Sequence, residues 1–588
     1  MVDLKAKPYM LTEEDCRWVR DTIAAMTDEE KVGQLFWAIL PNDSVESIQN
    51  MLNAYHVGGF RFNAAPAEKI AAFCGNVQKY SKIPQLIAVN TESGGDSACK
   101  EGHYIGSGAK IGATRNAAYA YELGRISNTE AAALGCNMAF APVADILYNW
   151  ENTEVILRAF GNDPERVAEM SSAYMKGAHT IPGFACAAKH FPGNGYDFRD
   201  AHLSNNVNSM SPDEWDETYG MVYRRLFSEG MEAVMAGHIM LPAYAKSINP
   251  ALTGGEMMPA TLSKEIMTGL LRDRMSFNGL AITDASHMVG MTNRMKRSEM
   301  LPLTINAGCD MLLFFNDPAE DYAIMLDAYR SGVISEERMT EALTRILGTK
   351  AHMGLHKKTA EQLQPNREKL AAVLADDCGN QIQKKISEDG ITLVKYKDDG
   401  ILPITPEKYP RITLVHVKGN EDGMSAFKKA LGLAGMDPTL RLKEKLEAKG
   451  FKVTIYENPM DVMLRDVKTG KKPNFNVMFA GKDSIADFLS DKDLVITVCD
   501  VASGRPAFGL TKGGGEIPWY VFEIPVIVLG CEQPTMLADM PQARTYINLY
   551  DTKEPTLDIL VEKLMTGPDA FKGKDPIDSY CGMADTYL

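Results

Sequence analysis

The sequence predicts an α/β protein with an N-terminal (β/α)8 TIM-like barrel followed by a doubly wound α/β sandwich domain. Between about residues 30 and 350, eight short apolar runs alternate with amphipathic helical stretches, and six more runs alternate in the same way after residue 385. Strands of a parallel sheet covered by helices on both faces read as unbroken hydrophobic runs, whereas a one-sided sheet alternates apolar and polar residues. A third observation is where the polar residues fall: nearly every barrel run releases a charged or amide side chain at its C-terminal end, the face on which (β/α)8 barrels carry their reactive groups.

In chain order, VGQLFWAIL (32–40) opens the barrel and VGGFRFNA (57–64) carries Arg61 near its end. QLIAVNTE (85–92) releases Asn90 and Glu92, and NMAFAPVADI (137–146) releases Asp145. ACAAKHF (185–191) yields Lys189 and His190, EAVMAGHI (232–239) His238, and GLAITDA (279–285) Asp284; GCDMLLFFN (308–316) closes the set. The barrel is expected over 1–350, a polar helical linker over 351–385 and the second domain over 386–588. The runs of that domain are GITLVKY (390–396), RITLVHV (411–417), FKVTIYE (451–457), DLVITVCDV (493–501), IPVIVLGC (524–531) and ARTYINLYD (543–551), the pattern of an open doubly wound sheet. TKGGGEIPWY (511–520) is glycine-rich but lacks the GxxxxGK[ST] order of a phosphate-cradling loop, and is taken as a turn.

A chain of 588 residues exceeds what one core organises. Its 45% apolar and 24% charged residues are those of a globular protein rather than a disordered one. A net charge of −15 argues against non-specific nucleic-acid binding, which needs concentrated Lys and Arg. The N-terminus has no signal-peptide core and no segment reaches the ~20 apolar residues of a membrane span, so no membrane partner and a cytoplasmic location are the default expectations. Ten cysteines stand singly, mostly in apolar runs and without a CxxC pair, the usage of buried reduced thiols. His238 and His287 show no metal-ligand spacing. No metal and no organic cofactor is expected, and the oligomeric state is left open.

The stretch AAKHFPGNGYDFRDAHL (187–203) concentrates chemistry-bearing residues. Lys189 and His190 suit hydrogen bonding to ligand hydroxyls, although a solvated strand end would look the same. Gly193 and Gly195 bracket Asn194 and permit backbone conformations closed to other residues. Asp200 and His202 lie two apart, so the carboxylate can bond an imidazole nitrogen, fix its tautomer and raise its basicity, making a general acid and base. Asp284 emerges from an apolar strand either as a helix cap or as a nucleophile in a partly dry site; position alone does not choose.

KHFPGNGYDFRDAH is similar to the KHFPG[H/R]G-x4-D-S-H loop of the β-N-acetylglucosaminidase branch of glycoside hydrolase family 3. APVADI (141–146), RAFGNDPERVA (158–168), GMEAVMAGHIMLPAY (230–244), PATLSKEIMTGLLRDRMSFNGLAITDASHM (259–288) and INAGCDMLL (305–313) resemble further family segments in order, and ISEDGITLVKYKDDGILPI (386–404) resembles the start of the family's second domain. The resemblance implies that Asp284 is the nucleophile of a double-displacement reaction, with His202 as acid/base and Asp200 as its partner. It implies that Lys189, His190 and Arg158 hold sugar hydroxyls, with Arg61 and Asn90 joining the substrate-binding set, and a structural role for Asp145. The expected substrate is a small-molecule carbohydrate with a terminal β-linked N-acetylhexosamine. The alternatives are a β-glucosidase-like hydrolase, a phosphorylase, since an imidazole repels an incoming anion less than a carboxylate would, and a non-catalytic sugar-binding protein. Three departures stand out: Asn90 replaces the Asp of the family's D-Q-E-G-G, with no arginine after the glycine pair; Asn194 replaces His or Arg; Ala201 replaces a small hydroxyl residue.

Overall fold

The computed structural model describes residues 2–40, 42–397, 400–419, 437–457, 459–472, 485–502 and 516–583. Residues 511–515 of the glycine-rich stretch therefore lie outside the described residues. Two compact units result, one of Met1–Gly108 with Asn116–Ile382 and the other of Ala109–Arg115 with Gln383–Leu588. Residues 351–382, the greater part of the stretch expected to be a linker, thus pack with the first unit, where the Gln364 side-chain amide donates to the Gly75 carbonyl and His356 pairs with Asp15.

The first unit is a closed barrel of eight parallel strands: β1 Phe36–Ile39, β2 Gly59–Arg61, β3 Leu86–Val89, β4 Met138–Ala139, β5 Ala185–Phe191, β6 Ala233–Ala236, β7 Leu280–Ala285 and β8 Met311–Leu313. Each strand pairs with its sequence neighbours, and β1 closes the ring against β8 with Phe36 opposite Leu312. The apolar runs become strands because helices outside and side chains inside leave their residues almost no contact with water. β4 is shorter than its run because Pro142 has no amide proton for the ladder. The chain beyond it still follows β5, with Lys189 donating its amide to the Pro142 carbonyl and Ala144 donating to the Lys189 carbonyl. At the opposite end, Asp310 precedes β8, fully buried, and accepts from Arg272, Arg338, Arg345 and the Ala281 amide.

In the second unit, β9 Thr392–Tyr396, β10 Arg411–Lys418, β11 Lys452–Ile455, β12 Leu494–Asp500, β13 Val526–Gly530 and β14 Thr545–Asn548 form one sheet in the order β9-β14-β13-β12-β10-β11. Only β9 runs antiparallel, against β14. Alternate residues of the central strands enter two separate cores, Ile412, Leu414 and Ile496 on one face, Val415, Val495 and Val528 on the other. That is the signature of a sheet with helices on both sides. Lys110, from the short segment grouped with this unit, is buried against Asp551 and Thr556. The ten cysteines are free thiols, nine of them buried. Among the described residues no helix is long and apolar enough to cross a membrane.

Candidate active site

The C-terminal ends of β2, β3, β5 and β7 carry Arg61, Asn90 with Glu92, Lys189 with His190, and Asp284. Successive residues of a strand normally point to opposite faces, yet Lys189 and His190 both serve this rim. The register between β5 and β6 shifts between Lys189, opposite Met235, and Phe191, opposite Ala236, which leaves His190 as an extra residue. A bulge of this kind re-aims a side chain. Past it, Gly193 and Gly195 take φ of +125° and +100°; a Cβ on Gly193 would meet the Tyr219 ring at 2.1 Å and one on Gly195 the Ile146 carbonyl at 2.2 Å. The turn thus needs both glycines.

Glu92 is the electrostatic hub. Its two oxygens accept Arg158 Nε at 2.8 Å and Arg158 Nη2 at 3.0 Å, the paired geometry that suits a planar guanidinium, and the Lys189 ammonium binds the same carboxylate. Burial alone would raise the Glu92 carboxyl, but the two cations hold it well below the usual carboxylate range. Burial pushes Lys189 down, with Glu92 opposing. Lys189 and Arg158 were expected to hold sugar hydroxyls directly; the structure adds that both are first anchored by Glu92, a residue whose partners lie 66 and 97 positions away in sequence.

His190 is fixed by Asp145, which accepts its Nδ1 at 2.7 Å and its backbone amide at 3.0 Å, and also the Asn194 amide at 2.7 Å. The strand-end role expected for Asp145 is thus that of an orienter: with Nδ1–H given to Asp145, Nε2 faces Arg158 Nη2 at 3.3 Å and the Asp284 carboxylate at 3.9 Å. Asp284 itself is partly buried and accepts the Ala285 amide at 2.7 Å. Its burial favours the neutral acid, but His190, His238, the Ala285 amide and Lys189 together outweigh that and hold it ionised below its ordinary value. His238 is buried, bonded through Nδ1 to the Thr261 hydroxyl and through Nε2 to the Ala285 carbonyl, so it packs behind the Asp284 strand end.

Asp200 and His202 form the expected dyad, with Nδ1 of His202 2.7 Å from Asp200 Oδ1. The hydrogen bond to Asp200 raises the imidazole above its ordinary value against partial desolvation, and Glu154 and Asp284 add to the rise. The loop carrying the dyad is docked on two sides. Asn152 donates to the Asp197 carbonyl at 2.7 Å and to Asn194 Oδ1, and the amides of Val289 and Gly290, just beyond Asp284, donate to the carbonyls of His202 and Ala201. Glu154, which the sequence did not single out, accepts the Ala201 amide at 3.2 Å and lies 4.0 Å from His202 Nδ1. Among the described residues, Glu154, Asp200 and His202 are the one group whose ligand-type atoms lie together as a metal would need; the cation the two carboxylates address here is the imidazole itself.

The side chains of Asn90 and Arg61 complete the set without a hydrogen bond or ion pair to other side chains among the described residues; burial lowers Arg61, with the charges of Glu92 and Asp284 opposing. Their donors remain available at the pocket.

Such a barrel, with a carboxylate on one strand end facing a carboxylate–imidazole dyad and a ring of fixed cations, defines an enzyme that works on glycosides. The glycosyl hydrolase family 3 N terminal domain matches residues 27–349. The chain is 35% identical to a beta-N-acetylglucosaminidase/beta-glucosidase of Cellulomonas fimi over the full length of both. Among solved structures it is 34% identical to beta-glucoside phosphorylase BglX, covering 99% of each chain with a TM-score of 0.88. A glycoside hydrolase family 3 beta-N-acetylglucosaminidase from Paenibacillus sp. str. FPU-7 shares the fold, with a TM-score of 0.74 at 22% identity over 95% of this chain and all of the other. The chain belongs to glycosyl hydrolase family 3.

Proposed function

We propose that the protein is a retaining, exo-acting β-N-acetylglucosaminidase that releases terminal β-linked amino sugars. The observation that carries this is the docking of the Asp200–His202 loop onto residues 289–290, in the turn that follows Asp284. Two backbone hydrogen bonds thereby couple the proton carrier to the nucleophile. In the first step an Asp284 oxygen attacks the anomeric carbon while the His202 imidazolium gives its Nε2 proton to the departing glycosidic oxygen. The glycosidic C–O bond breaks, the alcohol leaves, and a glycosyl-aspartate remains. In the second step neutral His202 takes a proton from water as the water oxygen attacks the same carbon, freeing Asp284 and giving net retention. Lys189 and Arg158, set by Glu92, would present donors to ring hydroxyls, His190, set by Asp145, would meet the sugar through Nε2, and Arg61 and Asn90 would contact its far side.

The test is the rate on an aryl β-N-acetylglucosaminide with Asp284→Asn, which should fall by at least about three orders of magnitude, as losses of a catalytic nucleophile do. A variant retaining full rate refutes the assignment. Transfer to phosphate is a second reading, favoured by the full-length similarity to a beta-glucoside phosphorylase and by an imidazole in place of a carboxylate acid/base. There a phosphate oxygen attacks the glycosyl-aspartate and the product is the glycosyl phosphate. A rate and product unaffected by phosphate remove that reading.

A further inference from the structure

We infer that Glu154 is a positioning residue of the acid/base machinery, holding the turn that carries His202 and supplying a second carboxylate that keeps its imidazole charged. The inference rests on the proposed role of His202. The turn is gripped at one residue from two sides: the Ala201 amide donates to Glu154 Oε2 at 3.2 Å, and the Ala201 carbonyl accepts the Gly290 amide at 2.9 Å. Ala201 sits between the two members of the dyad, so these two bonds set where both Asp200 and His202 point. Asp200 accepts from Nδ1 at 2.7 Å and Glu154 Oε1 stands 4.0 Å from the same nitrogen. Both carboxylates therefore address Nδ1, and Nε2 is left to carry the proton to the substrate.

The two carboxylates are not equivalent. The His202 side chain is 54% exposed and that of Asp200 26%, whereas that of Glu154 is only 4% exposed. Solvent screens an exposed charge strongly and a buried one little. The dry Glu154 thus acts on the imidazole more than its 4.0 Å separation would suggest. The coupling is reciprocal. Burial pushes Glu154 up, with Asp200 adding to this, while His190 and Arg158 pull the other way. The groups facing Glu154 are therefore His190 and Asn194 from the end of β5, Arg158 from its own loop, and Asp200 and His202 from the dyad loop. An imidazolium beside it lets Glu154 stay ionised, and an ionised Glu154 keeps the proton on the imidazole until the leaving group takes it.

The experiment compares wild type, Glu154→Gln and His202→Ala on two aryl glycosides of the same sugar, one with a 2,4-dinitrophenyl and one with a p-methoxyphenyl leaving group, across pH. Glutamine keeps an oxygen for the Ala201 amide and removes the charge. Glu154→Gln is expected to lower kcat/KM on the p-methoxyphenyl glycoside about tenfold, within the range that general acid catalysis supplies. It should leave the dinitrophenyl glycoside, which needs no proton, nearly unchanged, and move the alkaline limb of the pH profile to lower pH. Glu154→Asp, which keeps the charge, should restore most of that limb. An unmoved limb, or an equal fall on both substrates, overturns the inference. If Glu154→Gln fails to fold, the NMR titration of His202 in the wild type and in Glu154→Ala decides: a midpoint at or below the ordinary imidazole value, or a raised one that Glu154→Ala leaves in place, overturns it, and a raised one that drops in Glu154→Ala supports it. His202→Ala keeps the tests apart, since absence of the leaving-group split in that variant refutes the acid/base role of His202 itself.

Discussion

Glu92→Gln tests whether one buried carboxylate holds the pocket together. In the wild type it neutralises Arg158 through two parallel hydrogen bonds and Lys189 through a close ion pair, with Lys189 only 2% exposed. Glutamine has nearly the same volume and can still accept a hydrogen bond, so packing is kept while the charge is lost. Breaking a buried pair by removing one partner costs about 3–5 kcal/mol, because the remaining charge is left desolvated and unpaired. Glu92 is itself slightly exposed, which places the expected loss toward the lower end of that range. For a unit of several hundred residues, the usual unfolding entropy per residue converts this to roughly 4–6 °C in Tm. Lys189→Met in the same background removes the stranded cation, so the double variant should recover about half of the loss. The sign with pH follows from the depressed Glu92 carboxyl: its contribution is full above the unfolded carboxylate range and disappears as pH falls below it. The stability gap between wild type and Glu92→Gln should therefore close on acidification. The assay is thermal unfolding followed by near-UV circular dichroism between pH 2 and pH 8. A Tm within a degree of wild type at neutral pH, or a double variant no more stable than the single one, refutes the hub.

Two other outcomes are expected. Lys350 is fully buried, donates to Gln34 Oε1 at 2.8 Å, and is pushed down by burial to about 7. Folding therefore requires a proton loss between that value and the ordinary lysine range, and stability from this site rises with pH across the interval, because the unfolded chain binds the extra proton. Lys350→Met should raise Tm at neutral pH by the equivalent of a few kcal/mol, less about 1 kcal/mol for the acceptor left on Gln34. Differential scanning calorimetry of both proteins at pH 7 and pH 10 checks this, and a gain that does not shrink at the higher pH refutes it. Gly290 approaches the dyad loop so closely that a Cβ would lie 2.9 Å from the Ala201 carbonyl oxygen and 3.1 Å from that of Ser204. Gly290→Ala should cut kcat/KM by about tenfold or more through displacement of His202, with little change in Tm; wild-type kinetics would show that the dyad does not depend on this contact.

The barrel was legible because burial on both faces writes each parallel strand as an apolar run, and because the strand ends release their polar residues on one face. The dyad and the two glycines around Asn194 could be named because each lies within a short segment, whereas the position of Asp284 left a helix cap open and only the family resemblance pointed to a nucleophile. What escaped depends on distance in the chain. Glu92 was visible at the end of a strand, but nothing in NTESGG announces that it will clamp Arg158 and Lys189. Glu154 lies in an irregular loop with no periodicity to betray a buried face, and its role exists only once the 194–207 loop folds against it. The bulge at His190 was equally hidden, since ACAAKHF reads as regular strand and only the register against β6 reveals the extra residue.

The hub also bears on which sugar the pocket accepts. A carboxylate offers about four acceptor positions, and on Glu92 three are taken by Arg158 and Lys189. At most one remains for a hydroxyl. Arg158 gives two of its other donors to the Glu154 carbonyl and His190 and keeps one Nη1 proton, so the groups with uncommitted capacity are that proton, the ammonium of Lys189, the guanidinium of Arg61 and the amide of Asn90. That balance is rich in donors and poor in anionic acceptors. A carboxylate at position 90 would have supplied the strong acceptor that ring hydroxyls prefer, worth about 1 kcal/mol or more over a neutral one. With an amide there, an oxygen on the sugar that accepts hydrogen bonds gains relative to a hydroxyl that must donate. Selectivity at the far side of the ring should therefore respond to Asn90→Asp more than to any change at Lys189 or Arg158, whose geometry Glu92 has already fixed.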